Sequence, residues 1–465
     1  MFKRKHIHFI GIGGIGMSGI AQVLHKKGFK ISGSDLSENL IVKKLRKKMR
    51  VSNMHKADNV NNADIIVYSS AIKKNNIELL TAKKLKIPVF SRAMMLAQVM
   101  RLKSSITVAG SHGKTTTTSL IASIFEISGM DPTILSGGII NGLEINAKLG
   151  KGEWIVAEAD ESDGSFTLLP STIGVINNID LEHVDYYKNM KHLKESFLKY
   201  SENIPFYGFL SLGIDCKVVR EIKKKIYGKK IITFGLTQKC NYSATNVKVI
   251  KKNDSYLTSF DLIENFRKKK MIKNFWTPLL GNHNIKNILA SISVSRGLKI
   301  SYPKIKKALK TFSGVKRRFT VLHKSKHNLI IDDYAHHPVE IEETLKSLKQ
   351  ITRNEIISIF EPHRYSRITA MFDDFIHCFR NSDQIFILPV FSAGEKRINN
   401  VDSAFFFKKL SKKYSYKKVY LSEPNRNFFD TIKKKMVPGN NVIFLGAGLS
   451  SKTANDFKNY FKKKC

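Results

Sequence analysis

Cysteine is scarce in this sequence, with four in 465 residues. Cys216, Cys240, Cys378 and Cys465 lie far apart and form no CxxC pair. Neither a disulfide framework nor a zinc site is expected from them. Proline is also sparse, at 11, and no Pro/Ser-rich linker marks a domain boundary. No apolar run approaches the ~18–20 residues that a membrane-spanning helix needs. Acidic residues are few: 38 Asp+Glu stand against 79 Lys+Arg, a formal net charge of +41.

That charge raises the possibility of nucleic-acid binding. The lysines are dispersed, however, in pairs and triplets such as Lys43-Lys44, Lys223–Lys225 and Lys433–Lys435. No aromatic-interleaved basic motif, zinc finger or helix-turn-helix accompanies them. Hydrophobic residues make up 42% of the chain, enough for several cores. The basic, apolar start Met1–Ile20 imitates a signal peptide, but glycines break its apolar stretch and no small-residue cleavage site follows. A cytoplasmic location is the expectation.

Short apolar strands alternate with amphipathic helices, which argues for α/β domains with mainly parallel sheets. Three blocks are expected, at 1–103, 104–313 and 314–465. The first opens with a glycine loop, Gly11-Ile-Gly13-Gly14-Ile15-Gly16-Met17-Ser18, between a strand and a helix. Such a loop lets a diphosphate approach the backbone and the free N–H groups of the helix start. Asp35 lies 19 residues beyond Gly16, where a ribose-binding acid would sit. Taken alone, this suits NAD as well as any nucleotide diphosphate.

A second glycine loop, Gly110-Ser111-His112-Gly113-Lys114-Thr115-Thr116, follows the strand Ile106–Ala109. Val108 stands where the full GxxxxGK[ST] pattern has its first glycine. The core of the motif is intact: Lys114 suits the β and γ phosphates and Thr115 suits Mg²⁺. Hydride transfer has no need of this second loop. A ligase that activates a nucleotide-linked acid with a nucleoside triphosphate needs both.

Acids gather at two later strand ends. Glu158-Ala-Asp160-Glu161-Ser-Asp163 is one group, and Asp180-Leu-Glu182-His183-Val-Asp185 the other. Carboxylates beside a triphosphate repel it unless a cation intervenes, so Mg²⁺ is expected. The third block carries Arg317-Arg318-Phe319, Asp332-Asp333-Tyr-Ala-His336-His337-Pro338 and Glu361-Pro-His363-Arg364, with Asn284 and Asn287 upstream. Neighbouring histidines point in different directions and suit hydrogen bonding better than shared metal ligation.

In this order, and over nearly the whole chain, these motifs resemble the Mur ligase superfamily. The resemblance implies an α/β protein of three domains: a Rossmann-like UDP-binding domain, a central P-loop ATPase domain with a mostly parallel sheet, and a C-terminal Rossmann-like domain. It implies ATP-dependent joining of L-alanine to UDP-N-acetylmuramate, with ATP and Mg²⁺ as cofactors. The glycine loop, with Gly11, Gly13, Gly14, Ile15, Gly16, Met17, Ser18, Asp35 and Ser70, would hold the UDP substrate. Gly110 to Thr116, Asn284, Asn287, Arg318, Asp333 and His336 would bind ATP. Thr115, Glu158 and His183 would serve the metal, and Lys114, Glu158, His183 and Arg318 would be catalytic. Two departures from the family pattern stand out. Glu182 replaces the usual aspartate before His183, and Leu449 follows Gly446-Ala-Gly448 where an acid is frequent. No motif supports a carbamylated lysine. The remaining alternatives are a ligase that recycles a ready-made tripeptide onto the same sugar nucleotide, and an NAD-dependent dehydrogenase.

Overall fold

The computed structural model describes residues 5–141, 145–183, 186–237, 239–252, 255–398, 401–415 and 417–463. Asp185 and Cys465, both noted above, lie outside them. The described residues build three sheets, of five, ten and six strands. No helix among the described residues is long and apolar enough to cross a membrane.

The first sheet is wholly parallel. Its order is Arg50–Ser52, Lys30–Ser34, His6–Ile10, Ile65–Tyr68, Val89–Ser91. The order reverses beside His6–Ile10, so the Gly11–Gly16 loop leaves the sheet at its topological switch point. Below that loop a buried carboxylate orders the neighbouring strand end. Glu78, fully buried, accepts hydrogen bonds from Ser34 Oγ (2.6 Å) and Asn59 Nδ2 (2.6 Å) and pairs with His55 Nδ1 (2.9 Å).

The second sheet runs Lys269–Thr277, Ser255–Asn265, Tyr242–Lys252, Ile231–Phe234, Phe209–Gly213, Ile173–Ile176, Ser104–Ala109, Trp154–Glu158, Thr133–Ile140, Ile145–Lys148. Its centre is parallel, and the last two strands form an antiparallel hairpin. Ile173-Gly-Val-Ile and Phe209–Gly213 are buried along their whole length, as strands covered on both faces must be. The three long strands between Tyr242 and Thr277 depart from the expected strand–helix alternation. Their exposed, lysine-bearing positions hide them from a search for apolar runs.

The third sheet has the order Thr320–Lys324, Leu329–Asp333, Asn441–Leu445, Ile356–Phe360, Gln384–Ile387, Lys418–Leu421. All its pairings are parallel except the first. Asp333, Gly446 and Glu361 therefore stand at the carboxyl ends of three adjacent strands.

The chain divides into two compact units. One holds residues 1–247, 260–277 and 286–313; the other holds 248–259, 278–285 and 314–465. The first sheet and most of the second share a unit because they share a core: Phe9, Met17 and Leu96 cluster with Leu135, Ala147 and Phe166. Phe360, Phe375, Phe379 and Phe406 anchor one side of the third sheet. Burying each such ring contributes about 2–3 kcal/mol.

Candidate active site

In the first unit, the strand Ser104–Ala109 ends in the Gly110–Gly113 turn, and the helix Lys114–Ile127 starts immediately after it. Gly113 caps the helix at φ +81°. A side chain there would meet a left-handed backbone and collide with the carboxamide oxygen of Asn287. Asn178 Oδ1 accepts from His112 N (2.8 Å), Asn177 Nδ2 donates to the His112 carbonyl (3.3 Å), and Ser111 Oγ accepts from Asp180 N (2.8 Å). The turn is thus braced by the strand end that carries the second acidic group.

Lys114 Nζ donates to the Gly110 carbonyl (2.7 Å) and to both carboxylate oxygens of Glu161 (2.8 and 2.9 Å). Burial works against its charge, but Glu161, Asp160 and Glu182 together outweigh burial and keep the ammonium protonated. Burial pushes the Glu161 carboxyl up to about 7, with Lys114 opposing. Thr115 Oγ1 donates to Glu158 Oε2 (3.1 Å), and Gly137 N donates to Glu158 Oε1 (2.6 Å). Glu158 is also raised by desolvation. Thr116 is buried, and Thr117 Oγ1 reaches Asn287 Oδ1 (3.3 Å).

The expected metal set is divided in two here. Thr115 and Glu158 meet directly, whereas His183, at φ +55°, approaches Glu161 (3.9 Å) and Glu182 (3.7 Å). Glu161, Glu182 and His183 offer ligand atoms within 4.8 Å of one another. Nothing in the sequence singles out Glu161 within its acidic run; its 1% exposure sets it apart from the other acids of that run. The Glu182 departure keeps a carboxylate within 3.6 Å of His112 Nδ1.

The first glycine loop is equally defined. Gly11 N and Ile12 N donate to the Ser34 carbonyl (2.8 and 3.1 Å), and Gly13 N donates to Asp35 Oδ2 (2.7 Å). Asp35, expected as a ribose ligand, uses that oxygen to brace the loop. Ile15 is partly exposed at the helix start, and Ser70 is exposed in the turn whose Ser69 packs beside Gly11. Met17 and Ser18 are turned inward: both are buried, and Ser18 Oγ accepts from Asn146 Nδ2 (3.2 Å). Ser18 N is itself taken up, donating to the Gly14 carbonyl (2.8 Å).

In the second unit, Asp333 is buried and accepts from Phe319 N and Ala335 N (both 2.7 Å). Burial raises its carboxyl to about 6, against the Arg318 charge. Arg318 lies over the Tyr334 ring and pairs with Glu340 (3.3 Å), and His336 Nδ1 contacts the Tyr334 carbonyl (2.9 Å). His337 points elsewhere: its Nδ1 accepts from Val339 N (3.3 Å), capping the helix Pro338–Lys349. Glu361 accepts from Gly448 N and Leu449 N (both 2.9 Å), so an acidic side chain serves the Gly446–Leu449 turn from another strand. Asn284 belongs to this unit, donating to the Leu280 carbonyl (2.8 Å), while Asn287 belongs to the first.

Residues 6–104 match the catalytic domain of the Mur ligase family. Residues 108–295 match the Mur ligase middle domain, and residues 317–448 the Mur ligase glutamate ligase domain. The chain is 43% identical over 464 residues to the UDP-N-acetylmuramate–L-alanine ligase of Rickettsia bellii, spanning 98% of this chain and 96% of that protein. It is 42% identical over 446 residues to the ligase of the same name from Agrobacterium fabrum, spanning 95% and 94%. Among solved structures it resembles the UDP-N-acetylmuramate–alanine ligase of Thermotoga maritima, with TM-score 0.82 and 25% identity over 99% of this chain and 100% of that one. A murein peptide ligase from Psychrobacter arcticus shares the fold, with TM-score 0.68 and 18% identity over 98% of each chain. On three matched domains and near-complete coverage by close relatives, the chain belongs to the Mur ligase family.

Proposed function

We propose that this protein is an ATP-dependent ligase that joins L-alanine, through an amide, to the carboxylate of UDP-N-acetylmuramate. The observation that carries the reading is the presence in one unit of two glycine turns, each of a kind suited to phosphates. Gly11–Gly16 opens one helix, and Gly110–Gly113 opens another with Lys114 beside a cluster of acids. A dehydrogenase would leave the second loop without a use. Curated relatives at 42–43% identity carry the name of the alanine ligase rather than of the tripeptide-recycling enzyme.

A carboxylate is a poor acyl donor, because an oxide-like oxygen does not leave. Its attack on the γ-phosphorus of ATP gives an acyl phosphate and ADP. The amine of L-alanine then attacks the acyl carbon, and inorganic phosphate departs with one of the original carboxylate oxygens. Such phosphoryl transfer is mainly positioning and charge neutralisation. Lys114, permanently charged, would move from Glu161 to the β and γ phosphates. The turn amides of Gly110–Gly113 would hold the triphosphate, and Asn287 lines the floor of that turn. Arg318, Asp333 and His336, in the second unit, are proposed as nucleotide-binding residues.

Mg²⁺ fits the residues present. The donors stand in two groups, the Thr115 hydroxyl with Glu158 and the Glu161 and Glu182 carboxylates with His183, and a hard cation favours such oxygen-rich surroundings. When bound, the ion neutralises charge on the transferring phosphoryl group. The domain limits 1–103, 104–313 and 314–465 and a cytoplasmic location belong to the same reading. Phosphate release from ATP, measured with UDP-N-acetylmuramate and each amino acid in turn, tests it. Release that needs both the sugar nucleotide and L-alanine is expected. Release indifferent to the amino acid, or satisfied only by a tripeptide, would refute it.

A further inference from the structure

Arg92 opens the helix Arg92–Met100, directly after the edge strand Val89–Ser91 of the first sheet. Its guanidinium reaches away from that helix and lies between two loops of the first unit. On one side, Nη2 donates to Asp160 Oδ2 at 3.0 Å. On the other, a Cβ placed on Gly16 would sit 3.1 Å from Nη1 and 3.4 Å from Cδ. The guanidinium therefore rests against the first turn of the helix Ile15–Lys26, and the glycine is what makes room for it.

Two features make this more than a packing contact. The first turn of that helix carries no acidic residue, so a cation is held against the positive end of a helix dipole. An anion on the Gly11–Gly16 loop would relieve that opposition, as a diphosphate does. The second feature is where Asp160 sits. It lies between Glu158, which holds Thr115, and Glu161, which holds Lys114, and its Oδ1 accepts from Ser162 N (3.1 Å) to fix the turn. Asp160 takes one of the five guanidinium N–H donors and is the only hydrogen-bond partner of the Arg92 side chain among the described residues.

We propose that Arg92 is a positioning residue that couples the two phosphate-binding loops, acting through Asp160. A diphosphate seated on Gly11–Gly16 draws the guanidinium into a fixed place. The ion pair then fixes the Glu158–Glu161 segment, and with it the groups that receive the triphosphate. This inference rests on the two-substrate reading above, which assigns a diphosphate to one loop and a triphosphate to the other.

The test is calorimetric, on the full chain. The affinity for a non-hydrolysable ATP analogue with Mg²⁺ is measured with and without saturating UDP-N-acetylmuramate. In the unmodified protein the sugar nucleotide should tighten analogue binding at least about fivefold. Arg92→Ala and Asp160→Asn should each bring that ratio close to one, and the double variant should be no worse than either alone. Arg92→Lys should restore part of the ratio. In turnover, Arg92→Ala should lower kcat about 10- to 100-fold, as expected of misplaced reacting groups. Should Arg92→Ala fail to fold, Arg92→Lys and Asp160→Asn complete the same comparison. A ratio unchanged in the variants, a ratio of one in the unmodified protein, or single effects that multiply in the double variant would overturn the proposal. Loss of both binding events in the unmodified protein would instead strike the two-substrate reading itself.

Discussion

At the scale of single residues, charge placed under burial governs the site. Lys114 is tied to Glu161 and to its own loop, so its removal deletes the cation proposed to meet the phosphates. Lys114→Ala should lower kcat by at least about 100-fold while a cooperative thermal melt is retained. Near-normal turnover in that variant would show that the lysine has another role. Glu78 holds Ser34, whose carbonyl receives Gly11 N and Ile12 N. Glu78→Ala leaves His55, Asn59 and Ser34 without their acceptor and should cost about 3 kcal/mol in denaturant unfolding. His363 offers a pH signature in the second unit. Burial, followed by the charges of His336 and Arg367, depresses its pKa to about 3, and its ring stacks on Phe391. The unfolded chain takes up a proton there below about pH 6.5 while the fold refuses it, so stability is lost as pH falls through that window. His363→Gln should therefore melt with a shallower loss between pH 7.5 and 5 than the unmodified protein. An identical pH slope in the two proteins would show that His363 is not the group held neutral.

At the scale of elements, the glycine turns were legible in the sequence, because strand–glycine–helix punctuation is local. The apolar runs of the strands Leu329–Asp333 and Ile356–Phe360 are equally local, although Asp332 and Asp333 extend the first strand beyond its apolar part. The helix after the second loop is instructive. Lys114 is followed by four threonines, each of which gives up about 0.5 kcal/mol of helix propensity relative to alanine. Burial of Thr116, Thr117 and Thr118 overrides that preference, and such local conflict marks functional sites. What the sequence concealed are partners far apart in the chain. Lys114 and Glu161 are 47 residues apart, and Arg92 and Asp160 are 68 apart. Periodicity carries no information about such pairs. The same holds for Asn177 and Asn178, which brace the second loop from another strand. Gly113→Ala tests the element directly. The left-handed backbone and the encounter with Asn287 should cost about 1–2 kcal/mol and weaken ATP binding more than tenfold. Tolerance of alanine in both measurements would show that the turn is not fixed as described.

At the scale of the whole molecule, a chain of net charge +41 concentrates acids beside its second glycine loop. That asymmetry is costly without a cation, so chelation should abolish phosphate release and added Mg²⁺ should restore it. Undiminished release in excess chelator would remove the metal from the scheme. The first two sheets share one core, which sets the Gly11–Gly16 loop and the Gly110–Gly113 loop on a common frame. Within that frame one phosphorylated molecule is consumed to make the acid of the other reactive toward an amine. The transfer leaves an isotopic record. UDP-N-acetylmuramate labelled with ¹⁸O in both carboxylate oxygens, incubated with ATP and L-alanine, should give inorganic phosphate carrying one ¹⁸O per turnover and an amide product that retains the other. Phosphate free of the label would contradict the scheme, since it would mean that ATP had been split by water and the carboxylate never phosphorylated.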